Sequence, residues 1–67
     1  MTSYESAIPY KERLWLQIFK EGAKEPSYLI TSDLMRMTYF LYEVKDGKPI
    51  KTRWKANNPT ELEKYAR

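Results

Sequence analysis

The chain has 67 residues, with six Tyr, two Trp and two Phe, no Cys and no His, and a formal net charge of +3 at pH 7. Without Cys or His, disulfides, zinc sites and haem ligation are excluded by inventory, so one small domain has to be held together by packing, with its rings as the main material. No apolar run approaches the roughly 20 residues of a membrane span, and the start MTSYESAIPY lacks the cationic and apolar parts of a secretion signal, so the expectation is a cytoplasmic protein with no membrane partner.

Residues 1–8, MTSYESAI, show no period and read as a flexible tail, which leaves residues 9–67 as a single α+β domain. PYKERLWLQIFKEG opens with Pro9, suited to a first helical position, and closes with Gly22, suited to the residue just past a helix. Leu14, Trp15, Ile18 and Phe19 share one side at helical spacing, opposite Arg13, Gln17 and Lys20, and this predicts an N-terminal helix with Trp15 in the core. A strand competes, because Leu14, Leu16 and Ile18 alternate. It would turn Trp15 and Phe19 to the side of Arg13 and Gln17.

AKEPSYLITSD then has a breaker at Pro26, the apolar run Tyr28, Leu29, Ile30 and a polar cluster, a short strand between loops. Residues 34–44 allow two readings. A helix capped by Ser32 or Asp33 would align Leu34, Met37, Leu41 and Val44. A strand uses Thr38, Tyr39, Phe40, Tyr42 and Val44, residues suited to pleated surfaces, and leads into Asp46-Gly47, the usual two-residue hairpin signal. The hairpin is the favoured reading. In NNPTELEKYAR, Asn58 caps a helix, Pro59 takes its first position, Glu61 completes a capping box, and Leu62 with Tyr65 or Ala66 faces inward.

The predicted architecture is therefore α+β: a three-stranded antiparallel sheet with an N-terminal and a C-terminal helix packed on one face. In element order alone, a three-stranded sheet backed by a C-terminal helix is similar to the sheet-type DNA-binding modules of recombinases.

Charge is unevenly placed. Residues 1–33 carry four Lys or Arg against five Asp or Glu, and residues 34–67 carry eight against four. Between Lys45 and Lys55 only Asp46 opposes five cations. With Asp46-Gly47 as the turn, Lys45 pairs with Lys48, Val44 with Pro49, Glu43 with Ile50, Tyr42 with Lys51, Leu41 with Thr52, Phe40 with Arg53 and Tyr39 with Trp54. Pro49 falls at a non-hydrogen-bonded position, where its missing N–H is tolerated on an edge strand.

Alternation collects Tyr39, Leu41, Ile50, Thr52 and Trp54 on a face for the helices to cover. It collects Phe40, Tyr42, Lys51, Arg53 and Lys55 on the other, with Lys45 and Lys48 at the turn. Rings interleaved with cations can stack on bases while neutralising phosphates, so these seven residues are the candidate nucleic-acid-binding set, for DNA or RNA. The same pairs could equally serve as ordinary cross-strand packing.

The alternative function is an adaptor or inhibitor that docks on a larger protein through the same aromatic face or the hairpin edge, which could also form a homodimer. No enzyme, cofactor or metal is expected. Glu43, Asp46, Glu61 and Glu63 have no metal-cage or acid/base spacing, Ser27, Thr31 and Ser32 have no histidine to activate them, and no glycine-rich phosphate loop exists. Met35 and Met37 are expected as core filler.

Overall fold

Leu29, Ile30, Thr31 and Ser32 are almost completely shielded from solvent, although their side chains alternate between two directions. Such a strand is covered on both faces, and its two rows of backbone N–H and C=O groups need neighbours on both sides. That requirement organises the structure, a computed structural model that describes Tyr4 and residues 8–66.

The elements are β1 (Glu12–Phe19), β2 (Pro26–Asp33), β3 (Tyr39–Lys45), β4 (Lys48–Ala56) and α1 (Pro59–Tyr65). The four strands form one antiparallel sheet in the order β1-β2-β3-β4. The expected three strands and two helices are thus replaced by four strands and one short C-terminal helix. The likeness in element order to three-stranded recombinase modules does not extend to this sheet.

Residues 12–19 are a strand rather than a helix because β2 would otherwise be a buried edge. The objection from Trp15 is removed by a bulge: the register with β2 shifts between Leu14 and Leu16. The extra residue lets Trp15, Leu16 and Ile18 turn to one side. Trp15 meets Tyr39 edge-on at 5.6 Å, Leu16 pairs with Ile30, and Ile18 packs against the Ile30 cluster. The helix punctuation has other uses. The Glu12 N–H donates to the Pro9 carbonyl across a turn, and Gly22, at φ 78°, occupies the left-handed position of the turn that Ala23 closes onto Lys20.

The β3–β4 hairpin follows the predicted register from Lys45↔Lys48 to Tyr42↔Lys51, around Asp46 and Gly47 at positive φ. It then slips by two, so that Phe40 faces Lys55 and Tyr39 faces Ala56. Thr52 holds the irregularity, its hydroxyl donating to the Leu41 carbonyl at 2.7 Å and accepting from the Trp54 N–H at 3.2 Å.

Two apolar clusters flank the sheet. On one face α1 lays Leu62 and Ala66 over Ile30, Tyr39 and Leu41, with Trp54 meeting Tyr65 edge-on. Asn58 caps α1 by accepting from the Thr60 N–H at 2.9 Å, whereas Glu61 directs its carboxylate to Lys64 instead of back to the cap. The opposite face is covered by Ile8 and Tyr4, which pack with Leu29 and Tyr42. Ile8, expected within a loose tail, is therefore a core residue; residues 1–3 and 5–7 lie outside the described ones. Met35 and Met37 are exposed in the β2–β3 loop rather than buried, and Trp15 is only partly covered.

Leu62 is the side chain through which the single helix closes its face, so Leu62→Ala should lower unfolding free energy by about 2–5 kcal/mol. The half-exposed Ile50→Ala should change it by less than about 1 kcal/mol. Urea denaturation followed by circular dichroism measures both.

Candidate functional site

Strand β3 places Phe40 and Tyr42 on the face away from α1, and β4 brings Lys51 between them. The Lys51 ammonium lies 4.3 Å from the Phe40 ring centre and 5.9 Å from that of Tyr42. At the centre of this group is Glu12 of β1. One carboxylate oxygen accepts from the Tyr42 hydroxyl at 2.7 Å and the Thr31 hydroxyl at 2.9 Å, and the other accepts from Lys51 Nζ at 2.9 Å.

Burial acts to raise the Glu12 carboxyl. The hydrogen bonds from Tyr42, Lys51 and Thr31 outweigh it and leave Glu12 below its ordinary value of 4.5. The Tyr42 hydroxyl is pushed well above its ordinary range, first by burial and then by its bond to the Glu12 carboxylate and that group's charge. Tyr42 is only 3% exposed. The open aromatic face expected around Tyr42 is therefore closed, by Ile8 above and Glu12 beside it.

The remaining candidates separate along the hairpin. Lys45 is exposed at the turn end and paired with Glu43 at 3.4 Å. Lys48 is exposed just past the turn, and Lys55 is exposed opposite Phe40 at the other end of the strand. Arg53, expected across from Phe40, is drawn by the irregularity toward its neighbour Trp54, with the guanidinium carbon 4.6 Å from the ring centre. Phe40 is half-buried beneath Lys51. Among the described residues Lys48, Arg53 and Lys55 make no ion pair, so their charge faces solvent.

The structure thus gathers Phe40, Tyr42 and Lys51 around Glu12, and leaves Lys48, Arg53 and Lys55 as exposed cations along an edge strand, Lys48 on the α1 side and Lys55 on the side of Phe40. Glu12 carries no signal in the sequence as long as residues 9–22 read as a helix. The alternation of Glu12 with Leu14, read as strand, would have turned it toward the Tyr42 face. Among the described residues no group of three or more acidic side chains could hold a metal ion.

Tyr42→Phe removes a hydrogen bond to a charged group and should cost about 1.5–3 kcal/mol. A double-mutant cycle with Glu12→Gln should show coupling above about 0.5 kcal/mol. Because the folded state holds Glu12 below 4.5, native stability should fall as pH drops through that value and keep falling until Glu12 itself is protonated. Glu12→Gln should flatten this part of the profile, measured by urea titration across acidic pH.

Comparison with known proteins returns no match, whether to a protein-family model, to a curated protein or to a solved structure.

Proposed function

We propose that the protein is a small, non-enzymatic nucleic-acid-binding module that contacts the phosphate backbone through β4. The supporting observation is the composition of that edge strand. It carries Lys48, Lys51, Arg53 and Lys55, all exposed, and no acidic residue, and of the four only Lys51 is matched by a carboxylate among the described residues. Unmatched cations set along one strand edge, on both of its sides, release counterions when that edge meets phosphates, which gives affinity without base reading. Arg53 against Trp54 and Lys51 over Phe40 hold two of the four charges on ring surfaces, so they keep direction. Tyr42 contributes as the buried support of Lys51 through Glu12, not as a stacking platform.

A second reading, docking on a larger protein, is favoured by the other edge. On β1, Trp15 is 45% and Phe19 50% exposed, with Leu16 also open. Lysines and Pro49 guard β4 against pairing with another strand, whereas β1, although bulged at Trp15, exposes Trp15, Leu16 and Phe19. A partner strand would therefore add at β1 rather than at the hairpin edge.

The testing variant is Lys48→Glu with Arg53→Glu, because these two cations make no ion pair among the described residues. Fluorescence anisotropy of labelled single- and double-stranded oligonucleotides should show affinity falling steeply with salt. The variant should bind at least about tenfold more weakly with a shallower salt dependence. Unchanged binding by the folded variant would overturn the reading, and a protein partner that survives nuclease and is lost on Phe19→Asp would establish the second.

A further inference from the structure

The β2–β3 connection is short and closely held, yet it presents its apolar side chains outward. Asp33 accepts from the Met37 N–H at 2.7 Å and the Thr38 N–H at 3.2 Å. The Asp33 N–H donates to the Thr38 carbonyl, and the Arg36 N–H donates to the Asp33 carbonyl, both at 3.0 Å. Arg36 sits at φ 58°, a region that side-chain-bearing residues other than Asn and Asp rarely adopt, and its guanidinium reaches back over the Trp15 ring, 5.4 Å from the centre. The result is a preformed knob from which Leu34, Met35 and Met37 project, 54%, 78% and 64% exposed.

The surroundings of the knob are cationic. Glu12 pairs with Asp33, so β1 begins at this end of the sheet, which brings Lys11 and Arg13 beside the loop. Arg36 is in the loop itself, and Lys55, opposite Phe40, approaches from the other face. None of these four cations is ion-paired among the described residues. Glu12 and Asp33, the carboxylates that the β1–β2 pairing brings to this end, are both engaged, Glu12 by Tyr42, Thr31 and Lys51, and Asp33 by the loop's own amides.

We propose that this end of the sheet docks on an anionic phospholipid bilayer, with Leu34, Met35 and Met37 entering the acyl boundary while Lys11, Arg13, Arg36 and Lys55 meet the headgroup phosphates. Three features select this occupant. The apolar element is convex and its backbone is already held, so little ordering accompanies insertion. The cations lie on both faces of the sheet around it, a collar that matches a broad surface that is apolar within and anionic at its boundary. The collar would also repel a second copy of this chain.

The test is co-sedimentation of the full chain with vesicles of phosphatidylcholine alone and of phosphatidylcholine mixed with phosphatidylserine. Partitioning onto the mixed vesicles should exceed that onto neutral ones by at least about tenfold and should fall as salt is raised. Met35→Asp, at a site too exposed to disturb the fold, should reduce partitioning at least about tenfold. Arg13→Glu with Lys11→Glu should remove the preference for the anionic lipid. Equal partitioning onto both vesicles, or full retention by the folded Met35→Asp protein, would overturn the proposal. So would weakening of oligonucleotide binding by Met35→Asp with no vesicle binding in the native chain, since the loop would then belong to a nucleic-acid contact. The variant Lys48→Glu with Arg53→Glu changes none of the four collar cations and should keep its preference for vesicles mixed with phosphatidylserine over neutral ones while losing oligonucleotide binding, so failure of one proposal is read apart from failure of the other.

Discussion

One carboxylate touches every strand of this sheet. Glu12 belongs to β1, and its three donors come from β2, β3 and β4, at Thr31, Tyr42 and Lys51. A carboxylate shielded from water is costly unless its oxygens are hydrogen-bonded, and here two neutral hydroxyls share one oxygen while an ammonium takes the other. The arrangement specifies more than it stabilises. A one-residue slip of any strand would turn its donor to the opposite face and leave the charge uncompensated, so the network favours one register across the whole sheet.

That network also separates structural cations from available ones. Lys51 and Lys48 stand on the same strand and look alike in the sequence, but Lys51 is committed to Glu12 while Lys48 faces solvent. One edge strand thus carries both an internal brace and outward charges. Ring and lysine spacing cannot distinguish them until the opposing acid is located.

What the sequence revealed was local. Asp46-Gly47 set the hairpin and its first four pairs because both residues take positive φ, and Asn58-Pro59 set the start of α1 because cap and first turn are chemically distinctive. What it concealed depended on distant partners. Glu12–Phe19 carries apolar residues compatible with either period, and only the demand of β2 for a second neighbour, met by a bulge at Trp15, decides for strand. The slip in β4 depends on the Thr52 hydroxyl finding the Leu41 carbonyl, a contact without sequence signature. Within the candidate site, exposure at Lys48 and Lys55 followed from the pattern. Closure around Tyr42 did not, because Ile8 and Glu12 reach it from segments read as tail and helix.

The order of strands has a kinetic consequence. Each strand pairs only with its neighbours in the chain, so the sheet grows by successive hairpins and never waits for a distant segment to diffuse into a gap between two strands. Loop closure is then cheap at every step, and such topologies fold quickly for their strand content. The Glu12–Lys51 ion pair joins the two outer strands across 39 residues. It can form only after β4 has joined, and therefore acts as a late lock on a sheet whose strands are already paired.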